Sequence, residues 1–221
     1  VDLSNFNAPL LTTTNNMFFY CPDLTGINLS GFDAPSVTNQ SYMFAGCSSL
    51  LSLDLSSFSG SSASSTYQMF YNCNSLTSLD VSNFNTSSVT SMYQTFTNCN
   101  SLTGLDLSSF DTSSVTRMSQ MFANCNNLAS VDVSNFNTSS VTDMYQMFED
   151  CNNLTGLDLS SFDTSSVVDM RQMFDDCGSL SDIIGVDQFN IEAITLTYKL
   201  TYFCRGVTLP TPRYDSLLIA W

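Results

Sequence analysis

The sequence predicts an α/β repeat solenoid. About seven 26-residue turns over residues 1–180 would wind as a right-handed coil, with a parallel β-sheet on one face and short helical or 3₁₀ segments on the other. A capping region would follow over 181–221. Three observations predict it. The cysteines Cys21, Cys47, Cys73, Cys99, Cys125, Cys151, Cys177 and Cys204 are 26 residues apart at six steps and 27 at the last. Fourteen of the 17 Phe fall into two columns with the same step, Phe6 to Phe162 and Phe18 to Phe174, and all ten Met fall into two more, so the period governs the apolar residues. Whole phrases also return: "LTGLDLSSFDTSSV" at 102–115 and 154–167, "DVSNFNTSSVT" at 80–90 and 132–142. Alternate units match better than adjacent ones, which points to copying of a 52-residue pair (102 to 154).

Within one unit the elements follow in order. Leu102, Leu105 and Leu107 alternate with outward polar residues, the period-two pattern of a short strand; stacked copies make parallel pairs about 4.8 Å apart. "SSFDTSS" is a turn, rich in the residues whose side chains bond their own backbone. In "VTRMSQMF", Val115, Met118, Met121 and Phe122 recur at helical spacing, which predicts a short helical or 3₁₀ segment. Cys125 then leads to Leu128 and the next strand. No unit can bury its two cut faces alone, so stability is roughly a nearest-neighbour sum. After Ser181 the period slips and the β-branched, aromatic stretch 183–204 reads as a cap. Val1 already stands in the strand column of Leu105, so the N-terminal edge is expected to be continued by upstream sequence or covered by another chain. The opening "VDLSNFN", with neither Met nor leader, reads as an excised or matured piece.

Composition narrows the partners. Twenty Asp+Glu face five Lys+Arg, a net charge of −15, yet only 11% of residues are charged, against about 25% in ordinary domains. The surface must be Ser/Thr/Asn-rich and acidic. Such a surface repels nucleic acid and anionic lipid headgroups, whose recognition needs Lys and Arg. No apolar run is long enough for direct membrane insertion. The composition suits a secreted or surface protein; salt adaptation would explain the acidity too.

Little catalytic chemistry is available. Histidine is absent, and Ser and Thr are spread over every unit, so no nucleophile–base pair converges. The cysteines are equivalent members of one column, without metal-ligand spacing, and read as buried free thiols. The outward strand positions do form files. Asp54, Asp80, Asp106, Asp132 and Asp158 share one; Ser82, Ser108 and Ser134 lie in the next. A carboxylate every ~4.8 Å is repulsive. Hydrogen bonds from neighbouring hydroxyls and backbone, Ca²⁺ at Asp80, Asp106 and Asp132, or a cationic partner could offset it. Otherwise no cofactor is expected. On the opposite side Gln94, Gln120 and Gln146, beside Tyr67, Tyr93 and Tyr145, make an alternative binding strip. Arg117, Asp143, Asp169 and Arg171 read as surface ion pairing.

The phrase C-x-x-L-x-x-L-D-L-S-x-F-x-T-S-x-V-x-x-M-x-x-M-F resembles the BspA-like (treponemal-type) leucine-rich repeat surface proteins over roughly residues 1–180. It departs from the ordinary leucine-rich repeat in placing Phe110 where an Asn or Cys would stand. The tail at 206–221 is similar to segments that close such arrays. The resemblance implies bacterial, extracellular display at the cell surface, and adhesion or binding to a protein or glycan of a host or neighbouring cell. It supplies no catalytic residue. The expected function is therefore a non-enzymatic binding module acting through an extended repeat face, whose partner would carry a basic patch if the Asp file is used. Alternatives are a structural spacer presenting another domain, or a flat ice- or polysaccharide-binding face formed by Thr86, Thr112, Thr138 and Thr164.

Overall fold

Parallel pairing with a 26-residue step recurs along the chain, as the cysteine spacing requires. The structure, a computed structural model, describes residues 1–32, 34–56 and 63–209; Phe58 and the tail beyond 209 lie outside these. The strands are β1 (Ser52–Asp54), β2 (Ser78–Asp80), β3 (Gly104–Leu105), β4 (Ser130–Val131), β5 (Gly156–Asp158) and β6 (Asp182–Ile184). They pair in parallel as β1–β2, β3–β4 and β5–β6, with Leu53 opposite Leu79, Leu105 opposite Val131 and Leu157 opposite Ile183. The expected sheet is thus broken into three two-stranded pieces.

The other face departs further from expectation. It is not helical. Its backbone makes overlapping turns whose alternate amides reach the next rung. Met92, Gln94, Phe96 and Asn98 donate N–H to the carbonyls of Arg117, Ser119, Met121 and Ala123 at 2.9–3.2 Å, while Thr95, Thr97 and Cys99 donate back three residues within their own rung. Gln94 and Asn98 have positive φ, 54° and 62°, as do the residues above and below them in both columns. An i→i+3 bond with positive φ at the third residue marks a type II turn. The apolar residues still recur at the spacing read from the sequence, because a chain of three-residue turns returns to the same side about as often as a helix does. A non-glycine residue held at positive φ costs on the order of 1 kcal/mol. The inter-rung bond that each such residue donates offsets that cost at both positions of a rung. Isolated parallel bridges join Ser65, Ser91, Arg117, Asp143 and Asp169 in one unbroken series, so the turn face is laddered more continuously than the strand face.

Between the faces lies one core. The second Phe column stacks from Phe18 through Phe44, Phe70, Phe96, Phe122 and Phe148 to Phe174, with ring centroids 5.3–5.9 Å apart and planes within 11°. Phe203 ends the file edge-on, at 86° to Phe174. Within this last rung the regular step lengthens: Met144 donates to Asp169, but Met170 donates to Lys199, four residues farther on. Two short 3₁₀ turns, Val186–Gln188 and Thr197–Leu200, take up the added chain. At the opposite end Leu3, Phe6, Met17 and Phe18 are only partly covered.

All eight cysteines are free thiols, and Cys47 to Cys177 are buried. Each buried Sγ donates to a Phe carbonyl of the preceding rung, as Cys125 does to Phe96 at 3.1 Å and Cys151 to Phe122 at 3.2 Å. Burial pushes the Cys125 thiol up to about 12 and that of Cys99 well above its ordinary value. Cys99, Cys125 and Cys151 are therefore expected to resist alkylation in native protein and to react after denaturation without a reductant. Mass spectrometry that finds rung-to-rung disulfides in native material would refute this.

Candidate functional site

The strand face carries the Asp file, and its geometry explains how the charges are tolerated. Oδ1 of Asp54, Asp80, Asp106, Asp132 and Asp158 accepts the N–H of the serine two residues on, at 2.8–3.0 Å. Each Asp therefore caps its own turn, and Ser82, Ser108 and Ser134 supply three of those amides. Hydrogen bonds from the serine's hydroxyl and amide hold Asp54, Asp132 and Asp158 below the ordinary carboxylate value; at Asp106 the amide contributes most. The residues of the file are exposed. The free oxygen Oδ2 of each carboxylate is left as an ionised acceptor, one per rung. A shallow depression of about 290 Å³ between two of them is lined by Leu79, Asp80, Val81, Ser82 and Asp106. A second capping file alternates Asn85, Asp111, Asn137 and Asp163, which spaces its carboxylates two rungs, about 10 Å, apart. Among the described residues no group of three or more Cys, Asp or Glu converges as a metal site would require.

The Thr file is a correction. Thr86, Thr112, Thr138 and Thr164 are at most 2% exposed. Their hydroxyls donate to the carbonyls of Asp111, Asn137, Asp163 and Asn190 at 2.8–3.0 Å. They bridge rungs from inside, so they present no flat face to ice or polysaccharide.

On the turn face the glutamines form a ladder. Gln68 donates its amide to Gln94, Gln94 to Gln120 at 2.8 Å, Gln120 to Gln146 at 2.7 Å, and Gln146 to Gln172 at 3.3 Å. Gln146 is buried and Gln94 and Gln120 are half-buried, so these amides are committed to the scaffold. Tyr67, Tyr93 and Tyr145 are half-buried beside them. The Arg117 guanidinium lies 3.9 Å from the Tyr93 ring centroid and bonds Asp143 at 3.2 Å; Arg171 lies over Tyr145 at 4.9 Å. The sequence reading missed the continuation of this network into the last rung, because the register slips there. Lys199 and Arg171 both hold the nearly buried Asp169, and Arg205 holds the fully buried Asp175 at 2.6 Å.

Beside Asp175, burial pushes Glu149 up to about 7, and the carboxylates of Asp150 and Asp175 add to the rise; Asp150 is raised as well. The folded state thus holds these protons more tightly than the unfolded chain. The contribution to stability is full below about pH 4.5 and is lost as pH rises through about 7. The strand-face Asp residues act oppositely, but only near and below their ordinary value of 3.8. Melting temperature is therefore expected to rise as pH falls from 8 to 5, and Glu149→Gln to flatten that limb. An unchanged slope in the variant would show that Glu149 is not the titrating group.

The family described as "Mycoplasma protein of unknown function, DUF285" matches residues 1–104 and 90–204. The chain belongs to this family. The DUF285 chain is also similar to solved leucine-rich repeat structures, as the wording of its repeat predicts. A leucine-rich repeat protein of T. pallidum aligns at 20% identity and TM-score 0.56, covering 86% of the DUF285 chain and 80% of that protein. One from Bacteroides ovatus aligns at 17% identity and TM-score 0.34, covering 89% and 63%. A leucine-rich cell surface protein of Faecalibacterium prausnitzii aligns at 14% and 0.33, covering 82% and 80%. The first likeness supports the repeat solenoid with parallel strands. Among curated proteins none matches the DUF285 chain significantly. No helix among its described residues is long and apolar enough to cross a membrane.

Proposed function

We propose that the chain is a non-catalytic, surface-displayed binding module whose strand face engages a partner bearing a basic patch. The observation that carries this reading is the file of exposed Asp residues, each fixed by its own serine amide. Fixed charges need no reordering on contact, so they favour association with an oppositely charged surface and speed the encounter. Seven rungs offer roughly 30 Å of face along the stack, with the Asp file running through it. The absence of histidine and the burial of the thiols support a binding role over a catalytic one. The acidic, Lys-poor composition and the resemblance of the repeat support display outside the cell, where the partner is a protein of a host or neighbouring cell.

Changing Asp80, Asp106 and Asp132 together to Ser tests the reading. The variant is expected to fold as well as the parent, since serine also caps turns, and to lose affinity for immobilised basic peptides and basic matrix proteins. Parent affinity should fall as salt rises. Undiminished binding by the variant would move the site off the strand face. Melts in EDTA and in millimolar Ca²⁺ separate the calcium alternative, which requires a Ca²⁺-dependent rise in melting temperature that the variant abolishes.

A further inference from the structure

The turn face is divided in two by charge. Segments 12–21, 38–47, 64–73 and 90–99 carry no charged residue, whereas 116–125, 142–151, 168–177 and 197–206 carry ten, from Arg117 to Arg205. A face four rungs long that carries no charged residue of its own, touched only at its last rung by Arg117 over Tyr93, stands out in a chain of net charge −15. It is also aromatic. Phe19 and Tyr20 are 52% and 73% exposed. Tyr42, Tyr67 and Tyr93 follow, half-buried, with centroids 5.2 and 4.9 Å apart and planes tilted by 50° and 39°, so the rings do not lie flat on one another, and Arg117 covers Tyr93 from the next rung. Tyr71 is half-exposed beside them. Amides complete the surface: Asn98 donates to Asn72 at 2.6 Å along the same face.

We propose that this face, the N-terminal half of the turn side, binds a neutral oligosaccharide. Tyr and Phe rings present apolar surface to the C–H faces of sugar rings, and phenol hydroxyls exchange hydrogen bonds with sugar hydroxyls. Only Arg117, already paired with Asp143 and stacked on Tyr93, brings an ion to the edge of the contact, so little charge has to be stripped of water. The negative field of the rest of the molecule repels sulfated or sialylated chains. Size favours a sugar over a protein. Four rungs span about 14 Å, and the ten residues of one turn segment, fully extended, at most about 36 Å. The flat footprint is therefore under about 500 Å², well short of the ~800 Å² per partner of a standard protein interface. It suits a chain of three or four sugars lying along the rungs.

The test uses tetrasaccharides of glucose, mannose and N-acetylglucosamine, with sialylated and sulfated counterparts, measured by saturation-transfer NMR and titration calorimetry. The variant is Tyr20→Asn with Tyr67→Ser and Tyr93→Ser. The repeat itself places Asn72 in the column of Tyr20, and Ser41 and Ser119 in that of Tyr67 and Tyr93, so the fold is expected to survive, as a melt will verify. At least one neutral tetrasaccharide should bind with little change between about 50 and about 500 mM salt. Its affinity should fall about tenfold or more in the variant and stay unchanged in the Asp80, Asp106, Asp132 triple variant. Binding to none of the neutral sugars, preference for the acidic ones, equal affinity in the tyrosine variant, or capture of a protein by this face in place of sugar would each overturn the proposal.

Discussion

Replacing Phe122 by Ala is expected to cost about 3–5 kcal/mol, the range for deleting a fully buried aromatic side chain. Phe122 has no exposed surface and is stacked between Phe96, at 5.6 Å, and Phe148, at 5.3 Å. Truncation removes the transfer energy of the ring, leaves a cavity shared by three rungs, and breaks two stacking contacts, each worth about 0.5–1.5 kcal/mol beyond the buried area. Because rungs are stable only through their neighbours, the loss should spread as earlier exchange of amides on both sides. Leu10, at 89% exposure, supplies the control: Leu10→Ala should stay within about 0.5 kcal/mol of the parent. Denaturant melts of both variants decide the matter. A loss below about 1 kcal/mol at Phe122 would mean that the column does not carry the core.

The second large effect has the opposite sign. Gln40 is fully buried, and among the described residues neither its amide nitrogen nor its amide oxygen has a partner; the hydroxyl of Thr14, one rung before it, is likewise unpaired and 2% exposed. In the same column Met92, Met118, Met144 and Met170 are buried and apolar. Gln and Met have nearly the same length and shape, so Gln40→Met should fill the same space without overpacking. It removes a buried polar group whose lost hydration costs about 1–3 kcal/mol. A gain of about 2 kcal/mol is expected, which for a chain of this size raises the melting temperature by roughly 4–8 °C. No gain, or a loss, would show that the amide is satisfied in solution.

The contrast between these two positions shows what could be read from the chain alone. Phe122 was legible because its column never varies and the period of 26 puts it on the same face of every rung. The strand pairing was legible for the same reason: Leu53, Leu79 and Leu105 alternate with polar residues, and alternation has one structural meaning. The turn side was not legible, because Val115, Met118 and Met121 satisfy a helical spacing and a chain of type II turns equally well. What separates the two is the φ angle at Gln94 and Asn98, and Gln has no turn signature comparable to glycine's. The Gln repeated without change from Gln68 to Gln172, where a solvated helix face would have drifted, was the available signal. The Asp file was legible as a file, but not its self-capping, which depends on where the following serine amide points. Thr86 and its relatives looked outward because they lie in a hydroxyl-rich turn; only the rung beneath supplies the carbonyls that draw them inside. Gln40 was hidden by drift in the first units, where Thr14, Gln40 and Thr66 replace methionine in its column.

The backbone bonds that join one rung to the next run nearly along the axis of the stack, and the chain enters each rung only after completing the one before. A pull on the two ends cannot load all of these bonds together. It peels the terminal rung, releases 26 residues or roughly 90 Å of slack, and then meets the next rung with nearly the same resistance. Held at one end in a flowing medium, the molecule would pay out length at almost constant tension and rewind when the load falls, acting as a spool that keeps sudden force from reaching whatever its faces hold.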